Sequence, residues 1–250
     1  IAESVADNGD IIINGKVTIT GVNPGNGMLQ GIVNYSSSSN TDGVISVNPG
    51  AELTVNNTDY AVTSYTREKE GMSDIQISGG TVNITSTRSG SIGLKSDFNG
   101  ISITGGTVNI DTDTACIILT AAANQNDTGL INISGSAVVD LLSANSYAVH
   151  TCDTTDSTRV HTIALTSGGS FRARSNDSSN GNFPIQAYFQ LDPTNDLSFG
   201  SLTSIQNAGG GYLIQSSSVA DGILVVYTAD STLTLTEGTA KNGPGYTWTG

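Results

Sequence analysis

The chain has 250 residues with 9 basic and 22 acidic side chains, a net charge of −13, and 114 of its residues are Ser, Thr, Asn or Gly. Only 12% are charged, against about 25% in an average soluble domain, and the residues that clothe surface helices are scarce, which argues against an ordinary α/β enzyme. So acidic a chain repels phosphate backbones, and no apolar run reaches the length of a membrane span, so neither nucleic acid nor membrane insertion is expected.

Disorder is also excluded, because 36% of residues are apolar and Ile, Val and Leu recur in short alternating runs. The first residues, Ile1-Ala2-Glu3-Ser4, lack a basic stretch followed by an apolar one, so no signal peptide is read there. We expect a monomeric fragment of a larger protein.

Two kinds of element alternate along the chain. The first begins at 44–55 and recurs at 74–84, 100–110, 130–139 and 162–173. Its best copies are Asp74-Ile-Gln-Ile-Ser-Gly-Gly-Thr-Val-Asn-Ile84 and Gly100-Ile-Ser-Ile-Thr-Gly-Gly-Thr-Val-Asn-Ile110, 26 residues apart. Each predicts two short strands broken by a glycine turn. The second element is a six-residue strand window starting at Gly31, Tyr60, Ser91, Cys116, Tyr147, Pro184 and Tyr212. Aligned on those starts, the second column is Ile32, Ala61, Ile92, Ile117, Ala148, Ile185 and Leu213, apolar in every copy. A last half-turn is expected from 222–227 and 232–236.

Three strands per repeat, with no helical period anywhere, predict one right-handed parallel β-helix over residues 1–250. It would have seven to eight rungs stacked at about 4.8 Å. A β-sandwich is the competing all-β architecture, but it does not account for near-identical segments one rung apart.

The stretch Gly93-Leu-Lys-Ser-Asp97, followed by the 100–110 copy, resembles the repeat of bacterial pectate-lyase-like β-helix proteins. In particular it is similar to a family labelled carbohydrate-binding domain-containing, which repeats Gly-Ile-Lys-Ser-Asp ahead of Ile-Thr-Ile-Ser-Gly-Gly-Thr-Ile-Asn-Ile. The resemblance covers 74–111, about a sixth of the chain. It implies a secreted bacterial β-helix that binds acidic or cellulosic polysaccharide, with calcium on its surface. Related repeats occur in adhesins. This chain departs from the pattern by carrying Leu94 for Ile and by losing the Lys-Ser-Asp motif in the other rungs.

Catalysis of pectate-lyase type needs an Arg base beside several calcium-holding carboxylates, and a hydrolase of this architecture needs clustered Asp residues. Asp97, Asp111 and Asp113 lie in neighbouring segments, and Asp153 and Asp156 form another pair, but none falls in a recognisable pattern with Arg. Asp111-Thr-Asp113 and Asn124-Gln-Asn126-Asp127 supply alternate hard oxygens. The metal candidates are therefore Asp97, Asp111, Asp113 and Asp127, each with the competing role of a turn residue. One calcium ion is the sole cofactor the sequence admits.

Tyr35, Tyr60, Tyr65, Tyr147, Tyr188 and Tyr212 fall in or beside the third-strand windows. They form either an exposed platform on which sugar C–H faces stack, or packing that shields the sheet. Because they occupy columns one, five and six, they are not expected to share one direction. Arg172 and Arg174 alternate on one strand face, where they either hold a sugar carboxylate bidentately or pair with Asp across rungs. His150, aligned with Leu94 and Leu119, is expected to be a partly buried core residue. Cys116 and Cys152 differ by five strand positions, about 16 Å at 3.3 Å per residue, too far for a disulfide.

These readings favour a non-catalytic bacterial adhesin or carbohydrate-binding module, at the cell surface or secreted, that contacts polysaccharide or a host glycan. A polysaccharide lyase or hydrolase of pectate-lyase type and a purely structural stalk are the alternatives.

Overall fold

The structure, a computed structural model, describes residues 2–4, 9–22, 27–35, 43–65, 73–97, 100–120, 129–151, 161–165, 170–177, 185–190, 202–206, 212–216, 221–228 and 232–237. Among them there is no helix. The chain winds as a parallel solenoid in which each turn gives one strand to each of three sheets.

The first turn comprises β2 (Ile11–Ile13) in sheet B, β3 (Lys16–Thr20) in sheet C and β4 (Gln30–Tyr35) in sheet A. It is preceded by β1 (Ala2–Ser4), which pairs parallel with β4. The next turns are β5 (Ile45–Val47), β6 (Glu52–Asn56) and β7 (Tyr60–Tyr65), then β8 (Ile75–Ile77), β9 (Thr81–Ser86) and β10 (Ile92–Ser96). A fourth is β11 (Gly100–Ile103), β12 (Thr107–Thr112) and β13 (Ala115–Leu119). These four turns are described with their side chains. Parallel pairing carries on through β14 (Gly129–Ile133), β15 (Val138–Ser143), β16 (Val149–Thr151), β17 (His161–Leu165), β18 (Ser170–Ser175) and β19 (Ile185–Gln190), and stops there.

The expected seven to eight rungs are not formed. β22 (Asp221–Thr228) runs antiparallel to β19 and to β21 (Tyr212–Ser216), and β23 (Thr232–Glu237) runs antiparallel to β18 and to β20 (Leu202–Gln206). These strands extend sheets A and C only, and sheet B ends at β17. The reason is in the sequence, since no Ile-x-Ile-x-Gly-Gly unit follows 162–173. Without a sheet B strand a turn cannot close. The segments at Tyr212, 222–227 and 232–236 therefore cover the last sheet edges instead of adding rungs.

At the other end the structure adds a turn that the repeat pattern missed. Residues 11–19 form β2 and β3 around Asn14-Gly15, in place of the Gly-Gly pair of the stronger copies.

The two-strand unit folds as its alternation dictates. Ile75 and Ile77 of β8 and Val82 and Ile84 of β9 point inward and are buried, whereas the intervening Gln76, Thr81 and Asn83 are only partly buried. Column after column repeats this: Ile45, Ile75, Ile101 and Ile131 stack in sheet B, and Leu53, Val82, Val108, Val139 and Phe171 stack in sheet C. Each such side chain contributes about 1.5–3 kcal/mol relative to staying in water.

Sheet A has a different register from the one expected. Its inward column is Ile32, Val62, Leu94, Ile117 and Val149. The expected column placed Ala61, Ile92 and Ala148 there, a slip of one residue at Ala61 and Ala148 and two at Ile92. Two adjacent positions are buried in these strands, which hides the inward phase. Cys116 and Ile117 both donate their backbone N–H to the carbonyl of Ala148, and both side chains are buried. A second buried column of small residues, Gly31, Ala61, Gly93, Cys116 and Ala148, therefore lies beside the first.

Corners carry the polar share of the interior. At the corner between sheets C and A, Ser86, Thr112, Ser143 and Ser175 stand in register and are buried. The hydroxyls of Ser86, Ser143 and Ser175 donate across to the carbonyls of Thr58, Thr114 and Ser146 at 2.7, 2.7 and 2.6 Å. They also accept backbone N–H groups from their own turn, those of Arg88, Ser146 and Asp177. Each hydroxyl thus satisfies turn groups that the ladders leave unpaired.

Candidate functional site

The face of sheet A turned away from the core carries the row Val33, Thr63, Lys95, Ile118 and His150 in register, of which Val33 and Thr63 are themselves buried. Two positions further along the strands, Tyr35 faces Tyr65. Their rings meet edge-to-face with centroids 6.1 Å apart. Lys95 reaches between two rings, its Nζ 4.7 Å from the Tyr65 centroid and 6.0 Å from that of Tyr60. The same ammonium lies 2.8 Å from Asp97 Oδ1. Tyr60 and Tyr65 therefore flank one ion pair and Tyr35 joins them through Tyr65, although strand position alone did not predict a shared direction. Tyr35 is the most open, at 46% exposure. Burial pushes the Tyr65 phenol above its ordinary pKa, with Lys95 opposing and Asp97 adding to the shift.

Three strands further along the same sheet, Tyr147 stacks on His150 with centroids 5.9 Å apart. His150 is not a core residue as expected. It pairs in register with Ile118, and Ile118 with Lys95, so it belongs to the outward row and is half-buried. The expected alignment with Leu94 and Leu119 failed because Leu94 pairs with Ile117 and Ile117 with Val149. The rings of Tyr188 and Tyr212, on β19 and β21, lie outside the described residues.

Arg172 and Arg174 take the cross-rung alternative. Both guanidiniums reach Asp140 on the neighbouring strand of sheet C. Arg172 binds it through Nε at 3.0 Å and through a second N–H to Oδ2, and Arg174 binds it at 3.0 Å. Burial works against the charged form of Asp140, but the hydrogen bonds and charge of the two arginines outweigh it and hold its pKa below the usual carboxylate range. A carboxylate with a lowered folded pKa contributes stability above the unfolded value, about 3.9, and loses it as pH falls through the folded value. Asp140→Asn is therefore expected to cost up to about 1 kcal/mol at pH 7 and less at about pH 3, below the unfolded value, the small size reflecting half-exposed partners. Urea unfolding at the two pH values checks this, and equal losses at both would show that the charge is not what Asp140 contributes.

The metal candidates do not form a set. Asp97 is paired with Lys95, and Asp111 stands exposed on the outer face of β12. Asp113 accepts from the backbone N–H of Gly90 at 2.8 Å and from the Asn145 and Thr114 side chains. These hydrogen bonds overcome the effect of burial and lower its pKa, as expected of a turn residue. Asp127, Asn124, Asn126, Asp153 and Asp156 lie outside the described residues. Among the described residues no three His, Cys, Asp or Glu side chains come together as a metal site.

Other acids also have structural partners. Asp59 accepts from Arg88 Nε at 2.7 Å, which with the backbone N–H of Leu29 lowers its pKa against the effect of burial. Asp74, buried at the corner between sheets A and B, accepts from the Ser96 hydroxyl at 2.6 Å. Cys116 is a free thiol, pushed up to about 12 by burial, and Cys152 lies outside the described residues.

Comparison of the chain with protein-family models, with curated proteins and with solved structures gives no match. The resemblance to pectate-lyase-like β-helices thus rests on the repeat at 74–111, with which the parallel solenoid is consistent.

Proposed function

We propose that this chain is a non-catalytic, carbohydrate-binding module of a bacterial adhesin or secreted protein, built as a right-handed β-helix. It meets polysaccharide or a host glycan on the outer face of sheet A. The observation that carries the reading is the cluster in which Tyr60 and Tyr65 flank the Lys95–Asp97 pair and the exposed Tyr35 ring packs on Tyr65. Rings brought together on an outward sheet face offer a surface for sugar C–H groups. The ion pair beside them offers a hydrogen-bond donor and acceptor for hydroxyls. The acids Asp59, Asp74, Asp113 and Asp140 are each engaged in holding the fold, which supports binding over catalysis.

Retention of the chain on immobilised polysaccharides, run with calcium and again with EDTA, tests the proposal. Tyr35→Ala is expected to weaken retention about tenfold, equivalent to ~1.4 kcal/mol. Full retention by this variant would remove the tyrosine patch from the contact. Loss in EDTA would put a metal at the contact. Release of unsaturated product or new reducing ends would replace the binding reading with a lyase or hydrolase, and no retention on any glycan would leave the stalk.

A further inference from the structure

We infer that the glycan taken at this patch is neutral, recognised through hydroxyls and C–H faces and not through carboxylate or sulfate groups. The inference rests on the glycan-contact reading above and narrows it.

It starts from where the positive charge is. The described residues include five cationic side chains, Lys16, Arg88, Lys95, Arg172 and Arg174, and every one is in an ion pair. Of these five, Lys95 alone belongs to the patch. Its side chain is 17% exposed, and its ammonium is enclosed by the Tyr60 and Tyr65 rings and by Asp97.

An incoming carboxylate would have to compete with Asp97 for that ammonium, and Asp97 Oδ1 is itself buried. Displacing Lys95 would strand the buried oxygen without its counter-charge, the expensive half of breaking such a pair. The chain as a whole carries −13, so a polyanion is also repelled at long range. A neutral sugar meets neither penalty. It can lay a C–H face on the open Tyr35 ring and exchange hydrogen bonds with the Lys95–Asp97 pair without breaking it.

Among the described residues the one place with surplus positive charge is elsewhere. On sheet C, Arg172 and Arg174 share the single carboxylate of Asp140. An anionic glycan would be drawn there, not to the tyrosines, and this sets the competing outcome.

The experiment compares retention on insoluble neutral glucan with retention on immobilised polygalacturonate, at low and high sodium chloride, for the parent chain, Tyr35→Ala, Tyr35→Phe and Arg172→Gln. The expected result is retention on the neutral surface that salt changes less than twofold. It falls about tenfold in Tyr35→Ala and is kept in Tyr35→Phe and Arg172→Gln. Retention on polygalacturonate that drops with salt and in Arg172→Gln, with the neutral surface bare, overturns the inference while leaving glycan binding intact. Retention on neither surface overturns the binding reading and this inference with it. Melting curves of the variants establish that exposed Tyr35 and Arg172 are changed without unfolding the chain.

Discussion

Ile101→Ala is expected to lower the free energy of unfolding by about 4 kcal/mol, toward the upper end for a buried isoleucine. Ile101 has no exposed surface and stands in the middle of the sheet B column, with Ile75 on one side and Ile131 on the other. Neighbours on rigid ladders cannot collapse into the space, so the cavity term is added to the lost burial. Because each turn touches only its neighbours, the damage should also split the stack. Ile11 begins the same column and is only partly buried, so Ile11→Ala should cost under about 2 kcal/mol. Urea titrations of the two variants decide the matter. Equal losses would mean that the column is not one continuous core.

Gly106→Ala is expected to cost about 2–5 kcal/mol, for two separable reasons. Gly106 has φ +79, a left-handed conformation that costs an L side chain about 1–2 kcal/mol. A Cβ there would also lie 2.4 Å from the carbonyl oxygen of Gly80 and 2.6 Å from the carbonyl carbon of Gly79, backbone atoms of the preceding turn that have nowhere to move. Gly50 provides the control. It has φ +82 with nothing within 4 Å of a Cβ, so Gly50→Ala carries the conformational cost alone. The difference between the two melting shifts measures how closely successive turns approach at the glycine corner, and no difference would show that the corner relaxes.

The sequence made the two-strand unit legible because its physics is local. Ile75-x-Ile77, a glycine pair and Val82-x-Ile84 set phase, turn and phase again within ten residues, and β8 and β9 form where that pattern puts them. Sheet A was legible as strands but not in register. At β7 Ala61, Val62, Thr63 and Ser64 are all buried, so alternation no longer marks which side chain points inward. The register is set by hydrogen bonds between turns, which no window of sequence contains. The first turn was missed because its corner is Asn14-Gly15 and lacks the Gly-Gly pair of the strongest copies. Rungs were over-read at the C-terminus because a strand-like hexamer does not tell parallel from antiparallel.

The candidate site fared in the same way. The tyrosines were recognisable as a recurrent feature, but their meeting point was not. Tyr35 and Tyr65 are brought opposite each other by the β4–β7 register, and Lys95 is brought beside them by the β7–β10 register. Both registers depend on lengths of intervening chain that differ from turn to turn. The arginines were correctly seen on one face, and the partner that claims both, Asp140, lies one strand away on the same sheet.

The near-identical segments around Ile75 and Ile101 sit on adjacent turns in exact opposition, Ile75 beside Ile101 and Thr81 beside Thr107, 26 residues apart as Asn83 is from Asn109. A deletion running from any residue of the first to its counterpart in the second removes one whole turn and nothing else. β5 would then meet the strand that now follows β8, with the same isoleucines in the same column. The reach of the molecule along its axis is therefore quantised in steps of about 4.8 Å. A lineage carrying such a chain can lengthen or shorten it by duplication and loss of one unit, with the cross-section, the corner hydroxyls and the core inherited unchanged.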